Sequence, residues 1–169
     1  IDVSDELYNV SKIYGTQSSF AAVKDIAPTN YYGDSGFQNG SINSISSNGN
    51  HTLNGGSGDD MLFGGGGEDT LDGGTGQDDL FGGGGIDTFV IRPGDSSSTL
   101  ANADAIFDFK DGTDLIGMDD GLNFDDLTIA QGSGNYANHV LVSITSSGEY
   151  VAVIHTIGLN GAGTIDSSN

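Results

Sequence analysis

The sequence predicts an all-β protein: a parallel β-roll built from nonapeptide repeats, followed by an antiparallel β C-terminal layer. Three observations carry that expectation. Read in nines from Gly55, the chain gives GGSGDDMLF, GGGGEDTLD, GGTGQDDLF and GGGGIDTFV, each with Gly at places one, two and four, Asp at six and a large apolar residue at eight. With background glycine usage near ~7%, filling all those glycine slots by accident has a chance of roughly 10⁻¹⁴, so the repeat is real. The 29 glycines against only 2 prolines point to repeated tight turns rather than a proline-rich linker. Beyond Val90 the glycine pattern stops, and stretches of alternating apolar residues separated by turn signals take over.

Within each repeat, places one to six form a turn, where glycine supplies positive φ and lets carbonyls crowd together. Places seven to nine form a short strand in which only place eight faces inward, because side chains alternate. Leu62, Leu71, Leu80 and Phe89 therefore form an interior ladder too thin to hold the roll by itself. Two nonapeptides complete a coil, so Asp60 stacks on Asp78 and Asp69 on Asp87, about one strand spacing (~4.8 Å) apart. Carboxylates at that distance repel unless a cation lies between them. The period is that of a calcium-binding parallel β-helix. A hard ion taking six to eight oxygens from carboxylates and carbonyls suits such turns, which favours Ca²⁺ over Mg²⁺.

Composition bounds the partners. The formal net charge is −20, from 24 acidic against 4 basic residues, in a chain of 169. Without counter-ions such self-repulsion should leave the acidic half expanded, and the same charge disfavours nucleic acid and anionic membranes as partners. There is no cysteine, hence no disulfide or thiolate site. No apolar run approaches the ~18 residues of a transmembrane helix, and Ile1 to Val10 is unlike a secretory signal peptide. Cytosolic calcium is too scarce for weak sites, whereas extracellular modules bind at ~10⁻⁴–10⁻³ M, which points to an extracellular location.

Three segments are expected: 1–45, an N-terminal capping and interaction segment; 46–98, the roll; and 99–169, a C-terminal β segment packed on it. In the first, Asp5 to Tyr14 fits a short helix capped by Ser4. Ser19 to Ile26 suits helix or strand equally, Tyr31-Tyr32-Gly33-Asp34 suits a turn, and the Ser/Asn-rich run after Gly40 suits a loop. Ser46 to Asn54 is a decayed repeat with His51 in the Asp place, stacked over Asp69; a turn histidine is preferred to a ligand there. Outward places carry a file of Thr52, Thr70 and Thr88 on one sheet, and a Met61/Phe63/Phe81 patch on the other, to be covered by the chain's own ends or by a partner.

Ile91 to Asp95 is a turn closing the roll, and Ser96 to Ala101 is loose. Asp104 to Phe109 and Leu115 to Met118 are extended, and Asn123 to Leu127 is one capped helical turn. His139–Thr145 and Tyr150–Ile157 form a hairpin about Ser146-Ser147-Gly148-Glu149. His139 and His155 are taken as ordinary strand histidines.

Gly55–Val90, with Phe89-Val90-Ile91-Arg92-Pro93-Gly94-Asp95 and Asp104-Ala105-Ile106-Phe107-Asp108-Phe109, resembles the RTX proteins of Gram-negative bacteria, cyanobacteria among them. Asp104, Asp108 and Asp114 match the D-x-I-x-D-F…G-x-D-x-I pattern of that family's C-terminal segment. The resemblance implies a roll that folds only with calcium, about three or more ions, and type I export unfolded through an uncleaved C-terminal signal. It implies Asp60, Asp69, Asp78 and Asp87 as carboxylate ligands, completed by carbonyls of Gly56, Gly58, Gly65, Gly67, Gly74, Gly76, Gly83 and Gly85. Asp104 and Asp111 would fill the last half-coil. The ending Asp166-Ser167-Ser168-Asn169 departs from the aromatic and apolar tail usual in the family, which points to a trimmed or missing export signal.

No H-E-x-x-H, no G-x-S-x-G and no cysteine nucleophile is present, so no enzyme is expected in this chain. The preferred reading is a secreted, calcium-rigidified subunit of a surface layer, filament or adhesive matrix. Its expected partners are further copies of itself or a cell-surface or matrix polysaccharide. The alternative is the C-terminal secretion and folding module of a larger secreted hydrolase or epimerase. A polysaccharide- or ice-binding module using the threonine file is a weaker third.

Overall fold

The computed structural model describes residues 48–155 throughout and, ahead of them, four strands: β1 (Ile13–Thr16), β2 (Ser19–Ala22), β3 (Thr29–Tyr32) and β4 (Ile42–Ser44). Five strands follow through the repeats: β5 (His51–Ser57), β6 (Met61–Gly66), β7 (Thr70–Thr75), β8 (Asp79–Gly84) and β9 (Thr88–Ile91). They alternate between two parallel sheets. Leu53 pairs with Leu71 and Leu71 with Phe89 on one side, and Leu62 with Leu80 on the other, each step a coil of 18 residues. The place-eight side chains and Leu53 are essentially buried, as the alternation requires. The strands run further than expected, continuing into the first glycines of the next block, because those residues also pair coil to coil.

The roll is longer than the repeat. Before it, β3 lies parallel to β5 and β4 parallel to β6. The turn expected at Tyr31 and Tyr32 is therefore strand, in register with Leu53 and Asn54, and the loop expected after Gly40 holds a strand at Ile42–Ser44. Aromatic residues favour strands, and the exposed edges of β5 and β6 supply unpaired backbone groups for them. Ser19–Ala22 is strand, paired antiparallel with β1. The helix expected at Asp5 to Tyr14 falls outside the described residues except for Ile13 and Tyr14, which belong to β1.

After it, β10 (Asp104–Ile106) pairs parallel with β8, and β11 (Leu115–Met118) parallel with β9. Both lie in the segment expected to form the antiparallel layer, although the resemblance placed Asp104 and Asp111 in a last half-coil; they add a further coil to the roll. The antiparallel part is β12 (Leu127–Gln131), β13 (His139–Ile144) and β14 (Tyr150–His155). It does not lie face-on against the last coil. β14 joins β10 in parallel, so one seven-stranded sheet runs β12-β13-β14-β10-β8-β6-β4, opposite a five-stranded sheet β11-β9-β7-β5-β3. Edge-on joining gives the open side of β10 its hydrogen-bond partners. Val140, Val142, Ile144, Val151 and Ile154 thereby extend the same apolar interior. Asn123 caps one 3₁₀ turn over Phe124–Asp126, with Asp126 reaching back to its N–H, as expected.

The end of the repeats is pinned by charge. Arg92 donates from both terminal nitrogens to Asp72 (2.9 and 2.6 Å), with Asp95 and Asp119 beyond at 3.6 and 3.7 Å. The carboxylate also accepts from Asn54 at 2.9 Å, so one fork joins three successive coils. Hydrogen bonds between charged groups contribute about 1.5–3 kcal/mol when shielded from water. Arg92→Met is expected to lower stability by about 2 kcal/mol in urea unfolding at saturating calcium. A loss under about 0.5 kcal/mol, the range of ordinary surface changes, would remove the pin from this account.

Candidate metal centre

The turns connecting the two sheets stack in two columns. In both, one carboxylate oxygen of the place-six aspartates Asp69, Asp78 and Asp87 accepts the backbone N–H of the place-six residue a coil earlier. Asp60 N–H reaches Asp78 Oδ1 at 2.7 Å, and Asp69 N–H reaches Asp87 Oδ1 at 3.0 Å. His51 N–H reaches Asp69 Oδ1 at 2.8 Å, and the ring Nδ1 of His51 lies 2.7 Å from the same oxygen. His51, expected in a turn, is the first residue of β5, buried and held on Asp69. The column continues past the repeats, with Asp78 N–H on Asp104 Oδ1 and Asp87 N–H on Asp114 Oδ1, both 3.1 Å.

The other oxygen is the informative one. Oδ2 of Asp69, Asp78 and Asp87 is buried with no hydrogen-bond partner. Buried polar atoms are rarely left so, and a carboxylate oxygen without a donor calls for a cation. The surrounding glycines fit that requirement. Glycines at places two and four all have positive φ, from 92° at Gly74 to 140° at Gly76. Their carbonyls press on the next coil: a Cβ at Gly85 would stand 1.7 Å from the oxygen of Gly67, and one at Gly74 2.1 Å from that of Gly56. Place one is glycine for a different reason. Its φ is ordinary, but a Cβ at Gly73 would meet Asp78 Oδ2 at 2.3 Å. Each gap between coils thus brings together carbonyls from the earlier turn and a carboxylate from the later one.

Electrostatics point the same way. Burial pushes the Asp78 carboxyl up to about 7; the Asp60 N–H opposes this, and the charges of Asp60, Asp59 and Asp95 add to it. Asp87 is raised chiefly by burial, and Asp104 well above its ordinary value by burial and the charge of Asp78. Burial therefore makes the ionised forms of these groups costlier here than in water. Among the described residues no three His, Cys, Asp or Glu side chains converge on a metal position. An ion here must draw most of its oxygens from carbonyls, which suits calcium and not the nitrogen- and sulfur-seeking transition metals.

Of the residues expected in the site, Asp60, Asp69, Asp78, Asp87 and Asp104 lie buried in the columns, alongside the eight expected glycines. Asp111 is exposed in the turn that follows β10, and the stacked place belongs to Asp114, which is buried. The repeat's own rule identifies the right residue. Asp114 stands two places before Ile116, as Asp60 does before Leu62, whereas Asp111 stands before Thr113. Asp108, not expected among the site residues, is also drawn in; its carboxylate accepts from Gly82 and Gly83 N–H at 2.9 and 2.8 Å.

The outward files are in register. Thr52, Thr70 and Thr88 align, but Leu115 ends the file. Phe63 stacks on Phe81 and Phe81 on Phe107, both with centroids 4.6 Å apart, and His155 and His139 continue the line. The two histidines are cross-strand neighbours, as ordinary strand residues can be.

Carbonyl-lined turns between parallel coils, with Oδ2 of Asp69, Asp78 and Asp87 left without a donor, give the repeat segment the geometry of a calcium-binding β-roll. Residues 47–89 match the RTX calcium-binding nonapeptide repeat, in four copies. That segment is a calcium-binding repeat array, a binding and structural module rather than a catalytic one, of the kind typical of secreted bacterial proteins. A comparison with curated proteins gave no match. No helix among the described residues is long and apolar enough to cross a membrane.

Proposed function

We propose that the protein is an extracellular structural or adhesive subunit whose roll is made rigid by calcium and which assembles with further copies of itself. Asp60, Asp69, Asp78, Asp87 and Asp104 hold the ions together with place-two and place-four carbonyls. The unserved Oδ2 atoms of Asp69, Asp78 and Asp87 carry the calcium part of this reading. The open edge of the five-stranded sheet supports the assembly part. Among the described residues β11 pairs on one side only, with β9, and it places Leu115 and Met118 at the surface, two of the three large apolar side chains so exposed there. An edge strand of that character is a template for pairing with another chain. Calcium adds to folding because it binds the rolled chain and hardly the open one; at ~100 times its dissociation constant one ion contributes ~2.7 kcal/mol.

Electron microscopy of the purified chain in millimolar calcium tests the assembly. Ordered polymers that dissolve when Leu115 and Met118 are both changed to Lys are the expected result. Dispersed monomers of the unaltered, calcium-loaded chain would contradict it.

A further inference from the structure

The last gap of one turn column differs from those before it. There the carbonyls of Gly83 and Gly85 would face the turn Lys110–Asp114, as those of Gly65 and Gly67 face Gly83 and Gly85. In the earlier gaps the carboxylate keeps one oxygen unserved. In this one Asp114 is served twice, by Asp87 N–H on Oδ1 and by Lys110 N–H on Oδ2 at 2.8 Å. Its own N–H and that of Thr113 return to the Lys110 carbonyl, which locks the turn. Asp108 adds a second carboxylate, held by two backbone donors of the Gly82 turn. Into this oxygen-rich gap the chain sends its own cation: the Lys110 ammonium donates to the carbonyl of Gly83.

We propose that the Lys110 ammonium is the resident cation of this terminal gap, taking the position that calcium takes in the preceding ones. The ladder of ions on this column then stops at the gap of Asp87, Gly65 and Gly67. Gly83, expected among the calcium ligands, serves the lysine instead. A lysine suits the task because a compact ammonium on a flexible stem can reach a carbonyl cluster as a point charge. It also spares the roll an exposed calcium at its end, where ion occupancy would fluctuate with supply. The inference rests on the reading that the inter-coil gaps hold calcium.

Ion stoichiometry separates the two. Calcium bound per chain would be measured by isothermal titration and native mass spectrometry for the unaltered protein, Lys110→Met and Lys110→Arg. Lys110→Met keeps the apolar stem and removes the charge; it is expected to bind one more ion than the unaltered chain and to unfold at a higher calcium concentration on chelation. Lys110→Arg should keep the original stoichiometry. If the unaltered chain binds calcium and Lys110→Met binds the same number, the resident-cation role is wrong while the calcium reading stands. A Lys110→Met chain that stays unfolded at saturating calcium also overturns it, since an ion should replace the ammonium. No calcium bound by the unaltered protein would remove the underlying reading itself.

Discussion

Gly85→Ala is expected to disrupt the roll, while Gly84→Ala, one residue earlier, leaves it nearly unchanged. A methyl at position 85 would meet the Gly67 carbonyl oxygen at 1.7 Å, and the backbone there has a φ of 133°, which side-chain-bearing residues rarely adopt. The obstacle is main chain in a stacked coil, so it cannot swing aside as a side chain could. Backbone strain of this kind amounts to about 1–3 kcal/mol, and displacing the coil adds to it, so a loss of about 3 kcal/mol or more is expected. The same displacement moves a carbonyl proposed to hold the ion beside Asp87, so the calcium midpoint should rise as well. Gly84 has φ outside the left-handed range and no atom within 4 Å of the place a methyl would take. Its substitution should stay within about 0.5 kcal/mol. Urea unfolding of both variants at saturating calcium checks the pair. Similar losses in both would show that glycine matters here through chain entropy and not through the close approach of coils.

Asp78→Asn should change the sign of its effect with the metal. The amide keeps an oxygen for the Asp60 N–H and removes the charge. In calcium, losing an anionic ligand is expected to raise the calcium needed for half-folding about tenfold, or roughly 1.4 kcal/mol. In chelator at pH 7 the variant should be at least as ordered as the unaltered chain, because it no longer buries a carboxyl in the company of Asp60, Asp59 and Asp95. The pH dependence follows from the same carboxyl. Its pKa rises from 3.8 unfolded to about 7 in the roll, so between those values the rolled state binds more protons than the open chain. Stability of the metal-free roll therefore falls as pH rises through that window, and acidification from pH 7 towards 4 should restore order without metal. Asp78→Asn should weaken that dependence. Circular dichroism with and without chelator would detect both effects, and a variant destabilised equally in both conditions would separate Asp78 from the ion.

The fold is legible in the sequence where the period is strict. Gly, Asp and Leu at fixed places specify the 18-residue coil, the buried ladder and the aspartate columns, because each residue type has one physical task per turn. Legibility fails where pairing is decided by what the roll leaves open. Thr29–Tyr32 and Ile42–Ser44 carry no repeat pattern; they are strands beside edges that offer unpaired backbone. The parallel docking of β14 on β10 likewise depends on an edge no local pattern records. Asp114 is readable, since its spacing to Ile116 repeats that of Asp60 to Leu62, but of the three glycines that mark the turn elsewhere only Gly112, at place four, is kept. Lys110 and Arg92, which bring positive charge to the acidic end of the roll, gain meaning only once the coils are stacked.

Cations between successive coils are held to bind together a chain whose interior is too slight to cohere unaided. Calcium titration of the chelated protein, followed by far-ultraviolet circular dichroism at neutral pH, tests this most directly. The account predicts little strand signal without metal, a cooperative gain as calcium approaches the millimolar range, and no comparable gain with magnesium. A strand signal already complete in chelator, and unaltered by added calcium, would contradict it.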